Sequence, residues 1–216
     1  MDYFCINIII IDVAVMKNII KVWNDNPTED QIDNVIKVLK DGGLAIIPTD
    51  TLYGLVCDAL NSKAIEKLCR VKGLNPDKNN LSIICSDLSM ASSYSKINNE
   101  AFRIIKENTP GPFTFLLKSS SQLPKAFKGR KTVGIRIPDC LTARMVAEQL
   151  GNPIMTTSID FETDDFARNV ELISENYDGI VDVIIEGEEG MTEYSTIVDL
   201  TTDEPTIIRE GKGELQ

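Results

Sequence analysis

The chain has 216 residues, 43% of them apolar and 25% charged, enough for one large domain or two small ones with a real hydrophobic core. It contains no histidine. That excludes Ser-His-Asp and Cys-His nucleophilic machinery, HExxH zinc hydrolysis and histidine acid–base chemistry, leaving positioning, cations, hydroxyls, carboxylates or a magnesium ion to carry any catalysis. A net charge of −11 argues against a protein that coats nucleic acid uniformly, because phosphate binding draws on Lys and Arg.

In chain order, Met1 to Val15 have an apolar middle but start with Asp2 and lack both a positive region and a small-residue cleavage pattern, so they read poorly as a signal peptide. We treat residues 1–15 as an extension or a mis-assigned start and 16–216 as the domain, its first strand following Met16. Thr28 with Gln31 forms a capping box, and Ile32, Val35, Ile36 and Leu39 recur at helical spacing before Gly42-Gly43. A short apolar strand, Leu44 to Ile47, runs into Pro48, followed by Thr49, Asp50, Thr51 and Tyr53-Gly54. In α/β folds ligands collect where strands open into such a crevice, although an ordinary strand-to-helix turn has the same local composition. Ser62 is placed to cap a helix with Ile65, Leu68 and Cys69 on its core face and Gly73 at its end. A strand at Leu81 to Cys85, a helix at Asn98 to Asn108 and strands at Phe113 to Lys118 and Thr132 to Ile137 follow. A helix at Thr142 to Leu150 stopped by Gly151 and a strand at Ile154 to Ser158 come next. The tail reads as a helix near Ala167 to Asn176 and strands at Ile180 to Ile185, Ser195 to Asp199 and Thr206 to Arg209. Helices and strands alternating over short connections predict one twisted sheet flanked by helices, mixed rather than all parallel given the strand-rich tail.

Five scattered cysteines without a C-x-x-C pair read as reduced, buried small hydrophobes of a cytoplasmic protein. No apolar run approaches a membrane span. Charge is unevenly placed: Lys118 to Arg144 carry seven bases against one acid, whereas Asp160 to the end carry seventeen acids against three bases. The basic run suits a phosphate backbone, with Lys125, Lys128, Arg130 and Lys131 as its centre, or is simply a solvated face.

There is neither a G-x-x-x-x-G-K-[ST] loop nor a G-x-G-x-x-G turn, so a nucleotide would be held by hydroxyls and cations at strand ends. PTDTLYGL, Lys72-Gly73, PGPFTFLLK, VGIRIPD, TTS and STIVDL, in that order from Pro48 to Leu200, together resemble the YrdC/YciO family, whose best-known members make threonylcarbamoyl-adenylate for tRNA modification. The resemblance covers roughly Lys17 to Gly213. It implies a single-domain YrdC-like α/β fold, a twisted mixed sheet flanked by helices, with a basic cavity on one face. It further implies catalytic charge neutralisation by Lys72 and Arg136, and substrate contacts from Thr51 at the amino-acid end and from Thr114, Lys118, Ser158, Ser195, Thr196 and Arg209. Each has a plain structural alternative, as a strand residue, a solvent-facing cation or, for Lys72, a charge complementing a helix C-terminus. The implied substrates are ATP with its magnesium, L-threonine and bicarbonate, with no tightly bound metal.

Two positions depart from the synthase pattern. The family's K-x-R becomes Lys72-Gly73-Leu74, and Leu74 lacks the planar donor fork of arginine; Arg70 is the nearest substitute. S-x-N becomes Ser158-Ile159-Asp160, placing an anion that repels phosphate unless magnesium lies between. Both resemble the YciO branch. Two functional expectations therefore stand side by side: threonylcarbamoyl-adenylate synthesis, and a nucleotide- or double-stranded-RNA-binding protein, tRNA included, without that activity. A carbamoyl- or acyl-transferring relative acting on another small molecule is a third.

Overall fold

Alternation of apolar and polar residues along the strands decides which face of this sheet is packed and which is open. In the computed structural model, residues 18–75, 82–123, 131–160, 163–188, 191–202 and 204–216 are described. The N-terminal extension and Lys125, Lys128 and Arg130 of the basic run lie outside them.

The elements are β1 (Ile19–Lys21), α1 (Glu29–Lys40), β2 (Ala45–Ile47), β3 (Gly54–Asp58), α2 (Ser62–Val71), β4 (Ser82–Ile84), α3 (Leu88–Tyr94), β5 (Ser95–Lys96), α4 (Asn99–Glu107), β6 (Phe113–Ser119), β7 (Thr132–Arg136), α5 (Leu141–Leu150), β8 (Ile154–Ser158), α6 (Asp164–Arg168), α7 (Val170–Asn176), β9 (Val183–Glu186), β10 (Thr196–Asp199) and β11 (Thr206–Arg209). The strands form a single sheet in the order β1-β9-β2-β3-β8-β4-β7-β6-β10-β11, with β5 paired to β6. Its pairings are mixed: β2 and β9, β4 and β7, and β6 and β10 run parallel, whereas β3 and β8, β4 and β8, and β6 and β7 run antiparallel.

Successive side chains on a strand point to opposite faces. On one face Ile46, Leu55, Ile83, Phe115, Leu117, Ile135 and Met155 join the core residues of α2, α4 and α7 in one large cluster. On the other, Ile47, Val56, Ile84, Ile154 and Ile185 pack against Ile32, Val35, Ile36 and Leu39 of α1 and Ala143, Val146 and Leu150 of α5. Burying each such large aliphatic side chain contributes about 1.5–3 kcal/mol. Among the described residues, this second face is packed where those two helices lie. Beyond them the same face presents Ser82, Thr114, Arg136, Thr156 and Ser158, which line a cavity.

The helix boundaries follow local chemistry. Thr28 and Gln31 form the expected reciprocal capping box, and Ile32, Val35, Ile36 and Leu39 are the buried face of α1. The α2 cap is Asn61, whose side chain accepts from the Lys63 and Ala64 N–H groups, and not Ser62, which is already helical. At the other end Gly73 takes φ +60°. Gly73 N–H then donates to Arg70 O and Leu74 N–H to Cys69 O, a Schellman ending with Leu74 set against the core.

Three features differ from the sequence reading. Gly54–Asp58 is a strand, so the PTDT segment joins two antiparallel strands, β2 and β3, rather than a strand and a helix. Its apolar residues are too few for periodicity to separate strand from turn. A short helix and strand, α3 and β5, fill the interval before α4, and the helix expected near Ala167 is two short ones broken at Asn169. Asn169 is both the C-cap of α6 and the N-cap of α7, its side chain accepting from Leu172 N–H.

Candidate active site

The segment after β2 is folded on itself by its own hydroxyls. Thr49 Oγ1 donates to Leu52 O at 2.7 Å, accepts from Thr51 N–H at 3.1 Å and shares a hydrogen bond with Thr51 Oγ1 at 3.0 Å. This turn points Asp50 inward, where Oδ1 accepts from Arg136 Nη2 at 2.9 Å and Oδ2 from Asp139 N–H at 2.8 Å. The same Nη2 donates to Thr51 Oγ1 at 2.8 Å. Arg136 is only 5% exposed. Burial lowers its pKa, with the Asp50 charge opposing that shift. Its Nε is buried without a hydrogen-bond partner.

This Arg136–Asp50–Thr51 junction stands between two cavities. The first, about 290 Å³, is lined by Thr49, Asp50, Thr51, Tyr53, Asp139 and Lys212, among others. The second, about 200 Å³, is lined on the open sheet face by Ser82, Thr114, Arg136, Thr156, Ser158 and Arg209, together with Thr157, Ser195 and three aliphatic side chains. Its lining holds hydroxyls and guanidinium groups but no carboxylate among the described residues, a composition suited to an anion. Thr114 and Ser195 hydroxyls bond at 2.8 Å, and Arg209 Nη2 donates to Ser195 O at 2.7 Å and to its Oγ at 3.2 Å. The Arg209 guanidinium also sits 5.0 Å over the Tyr194 ring.

Of the residues singled out from the sequence, Thr114, Arg136, Ser158, Ser195 and Arg209 thus converge on the second cavity, and Thr51 reaches it through Arg136. Thr196 turns elsewhere: its Oγ1 donates to Gly213 O at 2.6 Å and accepts from Gly211 N–H at 3.0 Å, holding the C-terminal segment. Lys118 shares the Thr114 face of β6 but is exposed, four residues or about 13 Å along the strand, opposite Lys96 of β5. Lys131 is exposed just before β7.

Lys72 caps the C-terminus of α2, its side chain only 7% exposed, and its ammonium meets Asp160 Oδ1 at 2.5 Å. The acid expected to repel phosphate is paired with this lysine. Neither residue lines the two cavities. Arg70 is exposed on α2.

Sequence reasoning gave no role to Asp25 or Lys212. Asp25 accepts from Thr142 N–H and Oγ1 at 2.8 and 2.6 Å and from Leu141 N–H, capping α5 from outside that helix. It sits in a left-handed backbone conformation, φ +48°, beside Asn24 at +53°, a conformation that Asn and Asp tolerate better than most residues. The paired Asn-Asp of WNDNP was the available signal; its target, more than a hundred residues away, was not. The described cysteines are all buried, and Cys140, beside the first cavity, has its thiol pushed up to about 12, mainly by burial. No group of three or more metal-ligating side chains occurs among the described residues, and no helix there is long and apolar enough to cross a membrane.

A mixed-sheet α/β protein with one half-open sheet face, carrying hydroxyls and buried guanidinium around paired cavities, is the class that fold and site define. Known proteins place it further. The Sua5/YciO/YrdC family model, described as telomere recombination, matches residues 37–211. Escherichia coli (strain K12) YciO is 36% identical over 204 residues, 93% of this chain and 98% of that protein. Its crystal structure superimposes with a TM-score of 0.84 over 92% of this chain and 98% of its own. The threonylcarbamoyl-AMP synthase of Vibrio vulnificus (strain YJ016) is 28% identical over 185 residues, 83% of this chain and 98% of that protein. The P. abyssi Sua5 crystal structure complexed with L-threonine is 28% identical, with a TM-score of 0.78 over 89% of this chain and 57% of that longer one. The chain belongs to the Sua5/YciO/YrdC family.

Proposed function

We propose that this chain forms L-threonylcarbamoyl-adenylate from L-threonine, bicarbonate and ATP, releasing pyrophosphate, in service of tRNA threonylcarbamoyladenosine modification. The observation that carries the reading is the Arg136–Asp50–Thr51 junction: one buried cation at the seam of an anion-suited cavity and a cavity of small-metabolite size. The threonine complex of P. abyssi Sua5 supports an amino acid as one substrate. In this scheme the threonine nitrogen adds to carbon dioxide derived from bicarbonate and loses a proton. A carbamate oxygen then attacks the α-phosphorus of ATP as the bond to the β-phosphate oxygen breaks. Pyrophosphate leaves with the magnesium that entered with ATP. Arg136 and Arg209 would offset charge on the α-phosphate, and the hydroxyls of Thr114, Ser158 and Ser195 would orient it, so that catalysis rests on placement and charge stabilisation. A side-chain general base is not required, consistent with a chain that lacks histidine.

A specific observation favours a second reading. The Lys72–Asp160 pair and the inward-packed Leu74 remove two groups available for a polyphosphate, which suits a YciO-type nucleotide- or double-stranded-RNA-binding protein without synthase activity. The test is threonine- and bicarbonate-dependent pyrophosphate release from ATP and magnesium, with the adenylate identified by mass spectrometry. Product formation supports the synthase. Saturable ATP binding with no product under any of these conditions supports the binder.

A further inference from the structure

The segment that follows β11 folds back against the first cavity and is fastened at each step. Gly211 N–H and the Gly213 carbonyl both bond to Thr196 Oγ1, Lys212 N–H donates to Tyr194 O at 2.9 Å, and Gln216 N–H donates to Asn108 Oδ1 at 3.0 Å. Two glycines let it lie flush. A Cβ on Gly211 would fall 2.3 Å from Tyr194 O, and one on Gly213 would fall 2.6 Å from the Phe113 ring. Between these two positions that admit no side chain, Lys212 reaches into the cavity and donates from Nζ to Asp50 O at 2.8 Å.

An ammonium carries three donors, and among the described residues Lys212 forms no ion pair. Of the four acids that line the cavity, Asp50 is engaged by Arg136 and Asp139 N–H and Asp25 by the first residues of α5, whereas Asp139 and Glu188 are exposed to solvent. A half-buried cation with spare donors, held beside Thr49 and Thr51 in a cavity of about 290 Å³, is arranged for a small carboxylate.

We infer that Lys212 is a specificity-determining residue that binds the carboxylate of the small-molecule substrate, so that the first cavity selects molecules with a free carboxyl group. This deepens the proposed function and rests on its taking an amino acid as one substrate. It adds a residue to the site from a segment outside the sheet.

The experiment is calorimetric titration of the full chain, with and without ATP and magnesium, against L-threonine, L-serine, lactate and L-threoninamide, for wild type, Lys212→Met and Lys212→Arg. Wild type is expected to bind one or more of the carboxylates at least about tenfold more tightly than the amide, the scale of a charge-assisted hydrogen bond. Lys212→Met loses that preference at an unchanged melting temperature, and Lys212→Arg keeps most of it. Lys212-dependent binding of L-serine or lactate but not L-threonine supports the inference while defeating threonine as the substrate. A preference retained in Lys212→Met, one lost equally in Lys212→Arg, or a wild type indifferent to the carboxylate overturns the inference. Threonine-dependent product with a retained preference overturns it while leaving the proposed function standing.

Discussion

The ammonium of Lys72 and the carboxylate of Asp160 meet at 2.5 Å, although Lys72 is 7% exposed and Asp160 82% exposed at the side chain. Of the two positions that depart from the synthase pattern, Asp160 thus touches Lys72, the lysine that the pattern keeps, and Leu74 lies two residues along from that lysine. Asp160 is tethered to the lysine that would otherwise attract a phosphate. Because Asp160 is so solvated, the pair itself adds at most about 1 kcal/mol to stability; its larger consequence is electrostatic competition with an anionic ligand.

Asp160→Asn should therefore strengthen ATP binding, and Lys72→Ala should weaken it by about 1.5–3 kcal/mol if that ammonium reaches phosphate. Asp160→Asn with Leu74→Arg should raise threonine-dependent pyrophosphate release, at a stability cost of about 1 kcal/mol for removing Leu74 from the core edge. Paired titration and pyrophosphate assays check this. Unchanged ATP affinity in both single variants would place Lys72 outside the nucleotide site.

Asp50 is the sole carboxylate bonded to buried Arg136 among the described residues. Asp50→Ala strands that charge and should cost about 3–5 kcal/mol, read by urea denaturation. Adding Arg136→Met should recover part of the loss. A double variant less stable than Asp50→Ala would show that the guanidinium is stabilised chiefly by other partners.

Gly73 has φ +60°, and a Cβ there would meet nothing within 4 Å. Gly73→Ala should therefore lower stability by about 1 kcal/mol through backbone strain alone, a drop of about 2–4 °C in a chain of this size. Thermal denaturation measures it, and no change would mean that the α2 ending adapts freely.

Burial raises the thiol pKa of Cys57, Cys85 and Cys140 above the ordinary value of 9.0. The folded state holds these protons more tightly than the unfolded one. Their contribution is full below about pH 9 and declines as pH rises toward the folded values. Urea midpoints should fall steadily from pH 9 to 11, with the fall reduced in Cys57→Ala and Cys85→Ala relative to their own neutral-pH stabilities. A midpoint flat across that range would contradict the buried-thiol account.

Lys118, opposite Lys96, and Lys131 are exposed bases of the basic run. If this edge contacts RNA phosphates, duplex binding should fall steeply with salt and show little sequence preference. Lys118→Glu with Lys131→Glu should weaken it further and flatten the salt slope. Filter binding across a salt series tests both, and salt-independent binding would make the run a solvated face.

Much of the architecture was legible locally because period and caps are local properties. The α1 face, its capping box, the Gly73 and Gly151 helix ends and β8 follow from spacing and backbone preference alone. Short segments such as β3, α3 and β5 escaped because a few residues carry no resolvable period. The site divides in the same way. Ordered motifs named Thr51, Thr114, Arg136, Ser158, Ser195 and Arg209, but the pairings Arg136–Asp50, Lys72–Asp160 and Lys212–Asp50 join residues 86, 88 and 162 positions apart. Only the tertiary structure decides such contacts. Which group each cation meets depends on where the sheet and the C-terminal segment bring them together, and charge alone leaves every pairing open.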